Sequence, residues 1–533
     1  MLKLKQLSSL VKVFPDKIYG KASKRTIALG GESVSFQVAY WGEGEYTLKI
    51  KSELKDYIEV YKVGYVPSSM PAYPQCDDGF YERREPGLFP DPLIPLKGKI
   101  KAEATYNSLF ITVNTPKIKG GVYPIELCFN GKGEKYTVTH EIKVAKACIE
   151  EREIIFTEWF HTDCIADVHK KAVWSQEHWD LIGKYLKMAT DHGINTILVP
   201  VLTPPLDTAV GGERTTVQLV DISLENGEYK FNFEKLHKFI NLAKEMGVRY
   251  FEINHMFTQW GAAHAPKVIA TVNGEQKRIF GWETDSYGDD YAEFLRALIP
   301  ALICELEKAG LTKDQVFFHA SDEPSESCLE VYKKASSVLK PLIKGYKLID
   351  ALSHLEFYNQ GLVEIAVCGI NDIEPFIEAK VSGLWGYYCC AQSMEVSNRF
   401  FGMPSYRNRI IGTQIYKFGL NGFLHWGYNF YNSRHSVKKI NPYKVTDAGG
   451  AFPSGDAFSV YPYRNGVIPS IRLKVFKEAL DDVSMLYMVE RKIGKEATIA
   501  LIEEVAGQEI TFKSYPHDAE FSRKLRERII KIL

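Results

Sequence analysis

DYAEFLRALIPALICELEKAGLTKDQVFFHASDEPSESCLEVYKKASSVLK, residues 290–340, decides the fold. Apolar residues recur at helical spacing up to Gly310, which stops the helix. The short apolar run VFFHAS follows, bounded by polar turns, and reads as a buried strand. A second helical pattern begins within a few residues of its end. Strand alternating with helix predicts parallel strands joined by crossover helices. The same alternation repeats on both sides. Strands are predicted in EIIFTEWFH (153–161), NTILVPV (195–201), RYFEINHMF (249–257), KLIDAL (347–352), VEIAVCG (363–369), GLWGYYCC (383–390) and GFLHWGY (422–428). Helical patterns follow most of them, with stops at Gly193 and Gly247. Eight strands with intervening helices predict an α/β fold of the (β/α)8 TIM-barrel class over residues 151–490.

Residues 1–150 read differently. ESVSFQVAYW, YTLKIKS, SLFITVNT and YTVTHEIKVA alternate apolar and polar residues between Gly- and Pro-containing turns. This predicts an N-terminal β-sandwich. Residues 491–533 read as a short, mainly helical extension. Two long insertions interrupt the barrel pattern. TTVQLVDISLENGEYKFNF (215–233) reads as a hairpin turning at Asn226-Gly227. The second insertion spans residues 258–288, after the third strand. Both belong at the C-terminal mouth, where such barrels build their sites.

Composition narrows the function classes. Lys+Arg and Asp+Glu are 66 each in 533 residues, so no net field favours nucleic acid or an anionic membrane. No run is long and apolar enough to span a bilayer, and the N-terminus has no signal-peptide pattern. Nine cysteines without framework spacing read as free thiols, and a cytoplasmic location is expected. No CxxC or HExxH occurs, and neither metal nor organic cofactor is expected.

Asp322 and Glu323 stand side by side just past the fourth strand. One reading makes them helix-start acids, favoured by the helix dipole, with Ser327 and Glu330 forming a capping box. The other is catalytic. Acids beyond the C-terminal end of a barrel strand are placed for chemistry, and glycoside hydrolysis uses paired carboxyls. Adjacent side chains reach one pocket only if the strand has already ended. Pro324 supports that ending and biases Glu323 toward extended backbone. Sequence neighbours suit substrate-assisted hydrolysis, where one acid protonates the leaving oxygen and the other steadies a 2-acetamido group that attacks. His319, three residues before Asp322, reads either as a satisfied core histidine or as a group orienting one acid.

FHASDEP is similar to the Asp-Glu motif of glycoside hydrolase family 20. The wider chain resembles glycoside hydrolase family 123 and the related domain-of-unknown-function 4091 proteins. GESVSFQVAY, EWFHTDCIADVH, GFLHWGYNFYN, GDAFSVYP and PSIRLKVFKEALDDVSMLYMVE carry that resemblance in order along the chain. It implies a retaining, exo-acting β-N-acetylgalactosaminidase. Glu323 would be the general acid/base, and Asp322 would stabilise an oxazolinium intermediate. The implied partner is an oligosaccharide or glycoconjugate with a terminal N-acetylhexosamine. An N-acetylglucosaminidase, a hydrolase of a non-acetamido sugar and a non-catalytic carbohydrate-binding protein are the alternatives.

Further substrate contacts are expected from residues near strand ends. Trp385, Tyr387, Trp426 and Tyr428 supply aromatic faces and hydroxyls, with core packing as the competing explanation. Alternation puts Trp426 and Tyr428 on one face. His161 and Asp163 are read as ending the first strand, and Asn254 and His255 the third, where each either binds sugar hydroxyls or caps a loop. Asp456, after Gly455, belongs to either a lid or a surface turn. Arg472, Asp481 and Asp482 are read as structural salt links.

Overall fold

The computed structural model describes residues 1–117, 119–150 and 154–533. Eight parallel strands close into a barrel in the order of the chain. They are β1 (Ile155–Glu158), β2 (Thr196–Val199), β3 (Tyr250–Ile253), β4 (Val316–His319), β5 (Lys347–Leu352), β6 (Ile365–Gly369), β7 (Trp385–Tyr387) and β8 (Gly422–His425). All eight lie inside the stretches read as strands. The boundary drawn between residues 150 and 151 abuts 151–153, outside the described residues.

Period-2 alternation sorts each strand into two cores. On β4, Val316 and Phe318 pack outward with the helices, while Phe317 joins the interior cluster. On β5, Leu348 and Leu352 face outward, and Ile349 and Ala351 inward. Trp385 of β7 plugs the interior. Gly422 makes room for it, since a Cβ there would sit 2.4 Å from the indole. The interior is therefore packed, and a cavity can open only at the mouth.

The predicted hairpin forms from Asp221–Glu225 and Glu228–Asn232, turning through Asn226 and Gly227, both at positive φ. A second hairpin, Val268–Val272 with Glu275–Phe280, lies in the other insertion. The two combine into one four-stranded sheet, a long-range pairing that local pattern does not announce.

The β-rich N-terminal region holds two five-stranded sheets. Phe36, Leu109 and Ile111 of one share a buried cluster with Leu127, Phe129 and Ile142 of the other. Residues 69–86, between its strands Ile58–Ser68 and Gly87–Pro95, reach the barrel. The Tyr81 hydroxyl donates to the Ser393 carbonyl at 2.5 Å, and Asp78 pairs with buried Arg407 at 2.7 Å. The long helix Ile471–Ile493 leads to helices Lys495–Ala506 and Glu520–Ile532, which share its cluster of Leu486, Val489, Leu501 and Leu525. Arg472 pairs with Asp91, Asp482 with Arg409 and Arg526, and Asp481 with Lys477, so these are salt links as expected. Among the described residues no helix is long and apolar enough to cross a membrane.

Candidate active site

A cavity of about 220 Å³ opens at the C-terminal mouth of the barrel. Asp322 and Glu323 both line it, with Trp159, Tyr387 and Trp426. β4 ends at His319, three residues before the pair, so the two carboxyls escape strand alternation. Glu323 has φ +44°, a left-handed backbone. The extended geometry expected from Pro324 is not adopted, because the turn that brings both acids to the cavity overrides that local bias. A strained residue held in place by its surroundings is common at functional sites.

The helix-start explanation fails on position. A 3-10 turn, Glu326–Cys328, precedes the α-helix Leu329–Leu339. Neither acid lies in a first turn, and no side-chain capping bond forms at either start, so Ser327 and Glu330 make no capping box.

The turn is anchored from three sides. Asp350 of β5 accepts the Ser321 amide at 3.0 Å and the Tyr332 hydroxyl at 2.7 Å. The Asp322 carbonyl accepts the Trp260 amide at 2.8 Å. The Tyr387 hydroxyl donates to Glu323 Oε1 at 2.7 Å. Burial pushes the Asp322 carboxyl well above the usual carboxylate range, and the charges of Glu323, Asp350 and Asp207 add to it. Burial, then the Glu323 charge, raises the Tyr387 phenol well above its ordinary value, which keeps it a donor.

The catalytic-domain model of glycoside hydrolase family 123 matches residues 159–489, more than half of the chain. The chain belongs to glycoside hydrolase family 123. A solved family 123 glycoside hydrolase from Clostridium perfringens, described for glycolipid glycan hydrolysis, aligns over 100% of this chain and 98% of its own at 14% identity, with TM-score 0.74. A Parabacteroides merdae β-glucuronidase (12% identity, 89% and 52% covered, TM-score 0.33) and a Thermotoga petrophila endo-β-1,4-mannanase (14%, 63% and 77%, 0.35) are far more distant. No curated protein matches the sequence.

Within this family 123 barrel, the other expected contacts divide sharply. Tyr387 and Trp426 line the cavity. Tyr428 does not share Trp426's face: it is fully buried and donates to the Tyr185 carbonyl at 2.9 Å. β8 ends at His425, so alternation no longer applies beyond it. Trp385 lies in the interior cluster and is not among the cavity-lining residues.

His161 and Asp163 do not end β1, which stops at Glu158. His161 holds the N-cap position of the helix Thr162–His169 without a side-chain capping bond, and Asp163 sits in its first turn. Asp163 forms a buried ion pair with Arg214, and His161 Nε2 donates to the Trp426 carbonyl at 2.9 Å. They brace the wall instead of lining it. Asn254 is likewise structural, accepting the Leu202 amide at 3.0 Å.

His319 donates to Glu252 at 2.8 Å, both fully buried, so it orients Glu252 and makes no hydrogen bond to the acid pair. His255 stacks on His319 at 4.3 Å, and both rings meet Trp159 edge-on. Burial holds His255 well below the usual histidine range, so it is neutral. The two histidines form part of the support beneath the cavity-lining Trp159.

Sequence reading missed Asp207, Gln259, Trp260 and Arg434, which also line the cavity. Gln259 and Trp260 lie in the second insertion and Asp207 in the loop between β2 and the first, and that mouth position was the available signal. Among the described residues no group of three His, Cys, Asp or Glu side chains is placed to hold a metal, and all nine cysteines are free.

Asp456 is fully buried, not in a surface turn. Its Oδ2 accepts the Trp426 indole N–H at 3.0 Å, which fixes that ring's plane. His425 Nδ1 accepts from Arg399 and from the Gly427 amide, so its proton sits on Nε2, 3.4 Å from Asp456 Oδ1. Burial pushes Asp456 up to about 7. A raised carboxyl favours folding while protonated, so its contribution is lost as pH rises from about 4 to 7. Asp456→Asn keeps an acceptor for the indole without the charge. The variant is expected to gain stability over wild type across that window, by up to a few kcal/mol at about 1.4 per pH unit. Urea midpoints at several pH values check this, and a difference independent of pH contradicts it.

Proposed function

We propose that this family 123 protein is a retaining, exo-acting β-N-acetylgalactosaminidase working through its substrate's 2-acetamido group. The observation that carries the reading is that two sequence-adjacent carboxyls line one small cavity, one of them pushed strongly toward its protonated form. Carboxyls from a single strand end do not straddle a sugar ring as the two acids of an ordinary retaining site do. They suit a division in which the substrate supplies the nucleophile.

The proton positions follow from the hydrogen bonds. An acetamido N–H facing Asp322 needs an acceptor, so with sugar bound Asp322 takes that hydrogen bond and Glu323 serves as the acid. Tyr387 already donates to Glu323 Oε1, which leaves Oε2 to carry the acid proton toward the leaving oxygen. The acetamido oxygen attacks C1, the glycosidic C–O bond breaks, and the Glu323 proton goes to the leaving group. As positive charge grows on the closing ring, the amide proton moves toward Asp322, whose raised proton affinity favours it. Glu323, now a carboxylate, then deprotonates the water that attacks C1, the C1–O bond to the acetamido oxygen breaks, and Asp322 returns the proton to the amide nitrogen. Two inversions give retention.

A cavity of this volume suits a single terminal sugar. The Clostridium perfringens relative is described for the hydrolysis of glycolipid glycans, which supports a glycoconjugate substrate here. We further propose a division into an N-terminal sandwich (1–150), the catalytic barrel (151–490) and a helical extension (491–533), in keeping with the family match over 159–489.

The test is hydrolysis of 4-nitrophenyl N-acetyl-β-galactosaminide and its glucosaminide counterpart, with and without an N-acetylgalactosamine thiazoline. Faster release from the galactosaminide, blocked by the thiazoline, is expected. Faster release from the glucosaminide overturns the sugar, and release indifferent to the thiazoline overturns the acetamido route.

A further inference from the structure

Three segments meet at the cavity rim, each through a left-handed residue: Asp207 (φ +39°), Trp260 (φ +61°) and His435 (φ +60°). Such backbone is costly for non-glycine residues, and its repetition at one edge marks a rim held in a set shape. The segments are tied together. The Asp207 amide donates to Gln259 Oε1, and the His435 amide donates to Asp207 Oδ2 at 2.9 Å. Ser436 Oγ donates to the Asp207 carbonyl at 2.7 Å, and the Trp260 amide donates to the Asp322 carbonyl at 2.8 Å.

This rigid framework holds two side chains open. Trp260 is 45% exposed although it lines the cavity, its indole standing edge-on to His435 at 5.6 Å. Arg434, the residue before His435, is exposed and lines the same cavity. Among the described residues its guanidinium has no hydrogen-bond or ion-pair partner, and Asp207 turns Oδ2 to the His435 amide. Lys439 forms an ion pair with Asp167 at 2.5 Å, whereas Asp207 attracts Arg434 without a direct ion pair.

A flat apolar face beside an unpaired guanidinium fits a sugar ring carrying an anionic group. The ring stacks, and the planar fork binds a carboxylate or sulfate through two oxygens. We propose that Trp260 and Arg434 form a subsite for an anionic sugar on the leaving-group side of the bond cleaved beside Asp322 and Glu323. The proposal rests on the hydrolase reading above and names the class of glycan that the site takes.

The experiment compares kcat/KM for a β-N-acetylgalactosaminyl-galactose disaccharide with two forms of it. One bears a sulfate ester on galactose, the other a carboxylate-bearing sugar. A preference of about tenfold for at least one anionic form is expected at low salt, shrinking as salt rises. Arg434→Gln should remove the preference, and Lys492→Gln, which removes a remote exposed charge, should keep it. Which form is preferred distinguishes carboxylate from sulfate. Equal rates on neutral and anionic forms, or a preference that survives Arg434→Gln, overturn the subsite. Calorimetry on the Glu323→Gln protein repeats the comparison without turnover. A protein that hydrolyses the aryl galactosaminide but ignores the charge loses the subsite alone. One that binds the anionic forms preferentially but cleaves no N-acetylhexosaminide keeps the subsite and loses the sugar assignment.

Discussion

Glu323→Gln is expected to slow hydrolysis of a natural β-N-acetylgalactosaminide by about 10²–10⁴-fold, the usual contribution of a positioned general acid. The amide keeps the shape of the side chain and still offers an oxygen to Tyr387, whose hydroxyl donates to Glu323 Oε1. It has no proton to give a leaving alkoxide. The loss should therefore depend on the leaving group. A 4-nitrophenolate departs without protonation, so its glycoside should lose far less in the first step. Measuring kcat/KM against leaving-group pKa gives the decisive plot: steep for the variant and shallow for wild type. Parallel plots would take the acid role away from Glu323.

Asp322→Asn is expected to cost about 10²–10³-fold on acetamido sugars, comparable with removal of a preorganised group at developing charge. The same change should stabilise the fold near neutral pH. Asp322 is desolvated beside Glu323, Asp350 and Asp207, and its raised carboxyl penalises the ionised form. A group whose folded pKa is raised loses its favourable contribution as pH climbs through that value, and a neutral amide avoids the loss. Activity and the urea midpoint should therefore move in opposite directions, as they do where function opposes stability. A variant that is both less active and less stable would make Asp322 a structural residue.

The eight strands were legible because each is a short apolar run between turn signals, and the helices carry 3.6-residue periodicity. The acid pair was legible for a related reason: an Asp-Glu-Pro at a strand end is conspicuous. The remaining site residues were not equally legible. Tyr387 and Trp426 reach the cavity, but Tyr428 does not share the face of Trp426, because alternation was extended past His425, where β8 ends. His161 and Asp163 look like strand-end ligands but serve a helix start and a buried ion pair with Arg214, some fifty residues along the chain.

Local residue pattern determined the barrel, its insertions and the catalytic candidates, since periodicity and chain punctuation act over a few residues. Tertiary structure decided which polar groups reach the cavity. Glu323 takes a left-handed conformation against the bias of Pro324, and His319 faces Glu252 instead of the acids. Trp260 and Arg434 meet at one rim although they lie far apart in the chain. Those outcomes depend on long-range hydrogen bonds and on burial. Both are properties of the folded neighbourhood, to which a single segment of chain contributes only one side.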